Sequence, residues 1–217
     1  MIKRIVFIFV TVVVLVSCAS APKQWSAKER LFLLNEELER WQSFKFTGLA
    51  DIQHQTLAIR RTSVIALSEG KFRFDILDSG FLGMGSGVFM SIYVDENGLQ
   101  LRKPGSTKVE SIKTDKETEM LLKFLTQKWS DLLADHKNSI VTYQTVDILG
   151  LTINFTDKMR LAEITSKEEK LKINFIYDNR EILTEINISV PLVKKLIIQI
   201  DKIEYNDIVV NPLVKSG

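Results

Sequence analysis

Cysteine is nearly absent from this chain. With Cys18 the single thiol in 217 residues, no internal disulfide can form, and a domain of this size must be held by its core. Histidine is almost as scarce: His54 and His136 give a histidine triad or a His-rich metal site almost no material, and both read as solvated surface positions. A surplus of one charge is missing too. Lys3 and Arg4 set aside, the 29 basic residues fall to 27 against 27 acidic ones, which leaves no excess of cations to displace counterions from nucleic-acid phosphates. No internal repeat or low-complexity tract is present, and the roughly 200 residues beyond the amino-terminal leader suit one domain.

The glycine-rich stretch "DSGFLGMGSGVF", Asp78 to Phe89, fails as a catalytic motif. A nucleophile elbow around Ser86 needs glycine two residues before and after it, where Met84 and Val88 stand. A phosphate-cradling loop needs a following Gly-Lys-Ser/Thr and a helix, and neither is there. Asp75 and Asp78 read as solvated acids beside a turn, and "DENG" at Asp95 to Gly98 lacks the spacing of a calcium loop. The sequence therefore points to a protein that is not an enzyme and carries no metal or cofactor.

The first residues, "MIKRIVFIFVTVVVLVSCAS", set Lys3 and Arg4 before an apolar run from Ile5 to Val16, the pattern of a secretory signal. As a helix that run spans only about 18 Å, well short of the roughly 30 Å hydrocarbon core of a bilayer. Leu15-Val16-Ser17-Cys18 resembles the bacterial lipobox, in which Cys18 is acylated and becomes the first mature residue. The expected organisation is a signal at 1–17, an acylated tether at 18–24 and one domain at 25–217. Ala19 follows Cys18 where an Asp would retain an enterobacterial lipoprotein at the inner membrane, so the resemblance implies a lipid-anchored protein at the periplasmic face of the outer membrane.

Periodicity supplies the fold. Ser26 to Glu29 form a capping box, and Leu31, Leu34, Leu38 and Trp41 follow at helical spacing, as a core-facing stripe. The period then changes to two. Phe44, Phe46, Gly48, Ala50 and Ile52 share one strand face, and Phe72, Phe74 and Ile76 share another. Strands are predicted at 57–67, 71–76, 88–94 and 99–102, with "DENG" as a hairpin turn. A second capped helix begins at Thr114 and Glu117 and runs to Trp129. Further strands follow at 148–155, 160–164, 171–177, 182–190, 196–200 and 203–210, with "SKEEKLK", "DNRE" and "DKIE" as polar turns. The class is α+β: a large curved antiparallel sheet, an unclosed half β-barrel, covered by helices. Helices that fill it completely leave an inert core, whereas incomplete cover leaves an apolar cavity.

The lipobox, the helix before "FKFTGLADI", "KFRFDILDSG", "FLG" at Phe81 to Gly83, "VDENGLQL", "DKETEMLLKFL", "EINISV" and "LIIQIDKIEYN" together resemble the LolB and LolA group of periplasmic lipoprotein carriers, closest to the LolB type. That resemblance implies a monomeric receptor that accepts the acyl chains of a lipoprotein or lipid, from a periplasmic carrier protein, and helps put them into the membrane. It implies a membrane-inserting loop with Leu82 at its tip, flanked by Phe81 and Met84, although Phe81 stands where the LolB pattern has proline. Phe44, Phe46, Phe72, Phe74, Ile76, Phe89 and Ile92 are the expected cavity wall, or the core beneath it. The alternative left open is an outer-membrane lipoprotein that carries no lipid and serves as an interaction or assembly module of an envelope complex.

Overall fold

The computed structural model of the protein describes residues 25–54, 57–78, 87–112, 126–166, 168, 170–190 and 193–213. The chain opens with helix α1, Ala27–Arg40, whose start is the expected capping box. Ser26 Oγ accepts from the Glu29 amide at 3.3 Å, and the Ser26 amide donates to Glu29 Oε2 at 2.9 Å. Six strands then follow as a meander: β1 Phe44–His54, β2 Leu57–Ser68, β3 Lys71–Leu77, β4 Val88–Asp95, β5 Gly98–Arg102 and β6 Val109–Ile112. A short helix α2 (Trp129–Leu132), a 3-10 turn (Ala134–His136) and α3 (Lys137–Tyr143) separate these from a second meander. That one comprises β7 Thr145–Ile148, β8 Leu151–Phe155, β9 Leu161–Ser166, β10 Leu171–Tyr177, β11 Leu183–Val190 and β12 Val193–Tyr205.

All twelve strands form one unclosed antiparallel sheet in the order β6-β5-β4-β3-β2-β1-β12-β11-β10-β9-β8-β7. The two meanders are hydrogen-bonded to each other through the pairing of β1 with β12, so the first and last strands make the middle of the sheet. In that seam Thr47 faces Lys202 and Gly48 faces Ile200, which leaves Asp201 as the extra residue of a β-bulge. Gly48 is required there by close approach: a Cβ would lie 1.9 Å from the Gln199 carbonyl oxygen.

One face of the sheet is buried. Over β7 to β10 the helices close it: Leu34 and Leu38 of α1, Leu133, and Ile140 and Val141 of α3 pack on Val146, Leu151, Ile153, Phe155, Leu161 and Ile164. The helical stripe is thus core, and each such aliphatic side chain contributes about 1.5–3 kcal/mol of burial. Across β1 to β3, β11 and β12 the same face holds a second cluster built on Phe44, Phe46, Ala50, Ile65, Phe74 and Ile76. On the opposite face, Val210 and Leu213 of the segment after β12 lie on Ala66 and Tyr93.

Several boundaries differ from the sequence reading. The expected strand 148–155 is a hairpin, because Leu149 and Gly150 both take positive φ (50° and 75°) and turn the chain between β7 and β8. "DKIE" is not a turn but the bulged part of β12, and the predicted strand 203–210 ends at Tyr205, where Asn206 and Asp207 both take positive φ. The second helix as far as residue 125 lies outside the described residues. Trp129 begins a helix of its own, because Lys128 is extended and breaks the run. Strand β6 had no sequence signal, since Glu110 and Ser111 interrupt any alternation.

Candidate functional site

The strand pattern that buries one face sends its largest side chains to the seam between the two apolar clusters, and they do not fill it. A cavity of about 150 Å³ remains. Its floor comes from both meanders: Phe44 and Phe46 of β1, Ile65 and Leu67 of β2 and Phe72 of β3, together with Ile173 and Phe175 of β10, Ile186 and Ile188 of β11 and Ile198 of β12. Ile164 of β9, Trp41 and Trp129 complete it. Every lining side chain is apolar. A partly open cavity of that size and character accommodates a benzene-sized apolar group.

Trp41 stands at the centre of this arrangement. Its indole stacks on Trp129 with ring centroids 6.0 Å apart and meets Phe44, Phe46 and Phe175 edge-on at 5.2, 5.8 and 5.2 Å. Edge-to-face pairs at such spacings add about 0.5–1.5 kcal/mol each beyond their burial. Trp41 also ends α1, where its position is fixed from behind by Glu37, whose side chain is 3% exposed. Glu37 Oε1 accepts the Trp41 indole N–H at 2.9 Å and the Leu161 amide at 3.0 Å, while Arg160 donates to Oε2 at 2.7 Å. The Tyr177 hydroxyl donates to the Leu161 carbonyl at 2.8 Å and lies 3.4 Å from Glu37 Oε1. Burial, and then the Glu37 charge, push the Tyr177 phenol well above its ordinary range. Burial likewise raises Tyr205, with Glu37 again the second cause.

Of the residues expected to form the wall, Phe44, Phe46 and Phe72 line the cavity. Phe74 and Ile76 are buried in the same cluster without reaching it, and Phe89 and Ile92 pack at the cluster's periphery. The Phe89 ring lies instead under the Arg61 guanidinium, 4.4 Å from its centroid. Cys18 and the loop residues Phe81, Leu82 and Met84 lie outside the described residues. The base of that loop is described: the Asp78 amide donates to the Gly87 carbonyl at 2.7 Å, and Arg61 pairs with Asp78. Among the described residues no three His, Cys, Asp or Glu side chains come together as a metal site. No described helix is long and apolar enough to cross a membrane.

Sequence reading missed Trp129 and the whole contribution of β9 to β12. The alternation of Ile173 with Phe175 and of Ile186 with Ile188 was a usable signal for burial, but only the β1–β12 pairing brings those residues into one cavity with Phe44 and Phe46.

No protein-family profile and no curated protein matches the chain. Among solved structures it is similar to a LolA superfamily protein from Nitrosomonas europaea, at 9% identity and a TM-score of 0.44, over 85% of this chain and 96% of that one. It is also similar to a DUF1329 family protein from Desulfovibrio piger, at 11% identity and a TM-score of 0.36, over 85% and 95% of the two chains. At those identities and scores the likenesses carry no argument about function, which rests on the cavity and its lining.

Proposed function

We propose that the protein is a lipid-anchored carrier or receptor whose central cavity takes part of an acyl chain from a lipoprotein or lipid, for delivery to the membrane that holds it. The observation that supports this reading is a wholly apolar cavity, left unfilled by the described residues, where both halves of the sheet meet Trp41 and Trp129. Apolar space left unfilled costs stability, and ligand sites are concave and mainly apolar. In this reading Cys18 carries the anchoring lipid and the protein stands at the periplasmic face of the outer membrane. Phe81, Leu82 and Met84 would enter the bilayer interface, each apolar side chain contributing about 1.5–3 kcal/mol.

The test is direct. Lipid extracted from the purified domain is identified by mass spectrometry, and the delipidated protein is titrated with a fluorescent fatty acid; a saturable site displaced by unlabelled fatty acid is expected. A protein that purifies without lipid and binds no probe would end the carrier reading. Labelling with radioactive palmitate checks the anchor: the wild type should take up label and Cys18→Ala should not. A complementing Leu82→Glu protein would remove the loop's role alone.

One observation favours the rival reading, an interaction module of an envelope complex. Trp41 and Trp129 occupy the middle of the apolar face and leave room for a benzene-sized group and not for a whole acyl chain. Ligand binding by the wild-type protein decides between the two.

A further inference from the structure

We propose that Glu37 is the positioning residue of the cavity: its buried carboxylate holds the Trp41 indole as a fixed wall and thereby sets the shape of apolar group that enters. The inference rests on the reading of the cavity as a ligand site and adds to it the residue that determines selectivity.

Glu37 is not itself a lining residue of the cavity. It lies one helical turn before Trp41 and is among the few charged or polar side chains buried in the described residues. Acids on a surface helix are ordinarily solvated; here Glu39 is exposed and Glu36 half-buried, whereas Glu37 is buried. Two tasks divide between its oxygens. Oε2 accepts from Arg160, which matches the charge, while Oε1 accepts from the Trp41 indole and the Leu161 amide. The first tie secures α1 to the start of β9. The second fixes a ring.

That ring needs fixing. Trp41 ends α1, where its backbone no longer continues the helix, and its other neighbours are the rings of Phe44, Phe46, Phe175 and Trp129. Ring-to-ring packing is tolerant of rotation, whereas a hydrogen bond from an indole N–H to a buried carboxylate is directional and charge-assisted. With the acceptor removed, the indole is free to tilt into or out of a space of only about 150 Å³, and the contour of the cavity changes with it.

The experiment uses two alcohols with equal numbers of carbons and different shapes, n-hexanol and cyclohexanol, titrated by calorimetry or by chemical-shift changes. The quantity read is the ratio of their dissociation constants. In Glu37→Leu, which has no acceptor, the ratio should move by about tenfold, the discrimination that a change of a methylene or more in an apolar pocket produces. In Glu37→Gln the amide oxygen can remain under the indole N–H while the pairing with Arg160 is lost. Stability should fall in both variants, but the ratio should move only in Glu37→Leu, and the Trp41 indole N–H resonance should move with it. Should Glu37→Leu not fold, Trp41→Phe, which keeps a ring and lacks the donor, should show the same displaced ratio.

A wild-type ratio in Glu37→Leu and in Trp41→Phe overturns the proposal, as does a ratio that moves equally in Glu37→Gln and Glu37→Leu, since that is the behaviour of a merely structural ion pair. A wild-type protein that takes up neither alcohol overturns this proposal together with the cavity reading, whereas uptake with an unmoved ratio overturns this one alone.

Discussion

Filling the cavity should make the protein more stable and less able to bind. Ile173 of β10 lines it, faces Ile188 on β11, and packs against both apolar clusters. At about 24 cal/mol per Å³, an enclosed cavity of about 150 Å³ would leave the fold about 3.6 kcal/mol below a filled core, an upper bound for a space that is partly open. Ile173→Phe adds three carbons, worth at most about 2.4 kcal/mol at 0.8 kcal/mol per buried methylene, and tilting the ring into place consumes part of that. A gain of about 1 kcal/mol is expected. Urea denaturation measures it as a higher midpoint at unchanged slope, and a fluorescent fatty acid should lose its site in the same variant. The wild type, by contrast, should gain stability when a ligand is added, in proportion to the logarithm of free ligand over its dissociation constant. If Ile173→Phe loses the about 1–3 kcal/mol typical of an overpacked core and still binds the probe, the space is not where ligand goes.

Three further perturbations test the rest of the structure. Gly48→Ala places a methyl 1.9 Å from a backbone oxygen in the central seam, so it should cost about 3 kcal/mol or more, read as a lower urea midpoint. Arg160→Leu leaves the Glu37 carboxylate buried beside Arg40 alone, whose guanidinium is 3.7 Å away, and should cost about 3–5 kcal/mol in the same assay. The raised Tyr177 phenol predicts alkaline sensitivity. The folded protein keeps a proton that the unfolded chain releases near pH 10, so the contribution is complete below about pH 10 and falls above it by about 1.4 kcal/mol per pH unit. Stability curves from pH 9 to 11.5 should be shallower by that amount in Tyr177→Phe.

Local chemistry was legible in the sequence. The capping box at Ser26 and Glu29, the leucine stripe of α1, and the period-two burial of Phe44 and Phe46 and of Phe74 and Ile76 are consequences of near neighbours, and the structure has them all. The polar turns at "DENG", "SKEEKLK" and "DNRE" join the strands they were expected to join, the last through the Asp178 amide and the Ile182 carbonyl at 2.9 Å. The turn at Leu149 escaped notice because leucine is not a residue that favours positive φ, so nothing marks it as punctuation. Asp201 read as part of a turn because a bulge and a turn use the same polar residues; only the register against Thr47 and Gly48 tells them apart. Half of the cavity was hidden for the same reason, since β1 and β12 become neighbours through a pairing that spans most of the chain. Glu37 was invisible for a different one. Its partners Leu161 and Tyr177 stand on strands, and Arg160 just before one, that no local pattern connects to α1.

The pairing of the first strand with the last has a consequence for how the chain comes to exist. Until β12 is available, β1 presents a long unpaired edge, and the second meander presents another along β11. Each is a template for joining a stranger. A chain cut short before Val193 is therefore not a smaller copy of this protein but two half-sheets, each with half a cavity wall and an adhesive flank. Loss of the residues from Val193 onward should make the chain prone to aggregate.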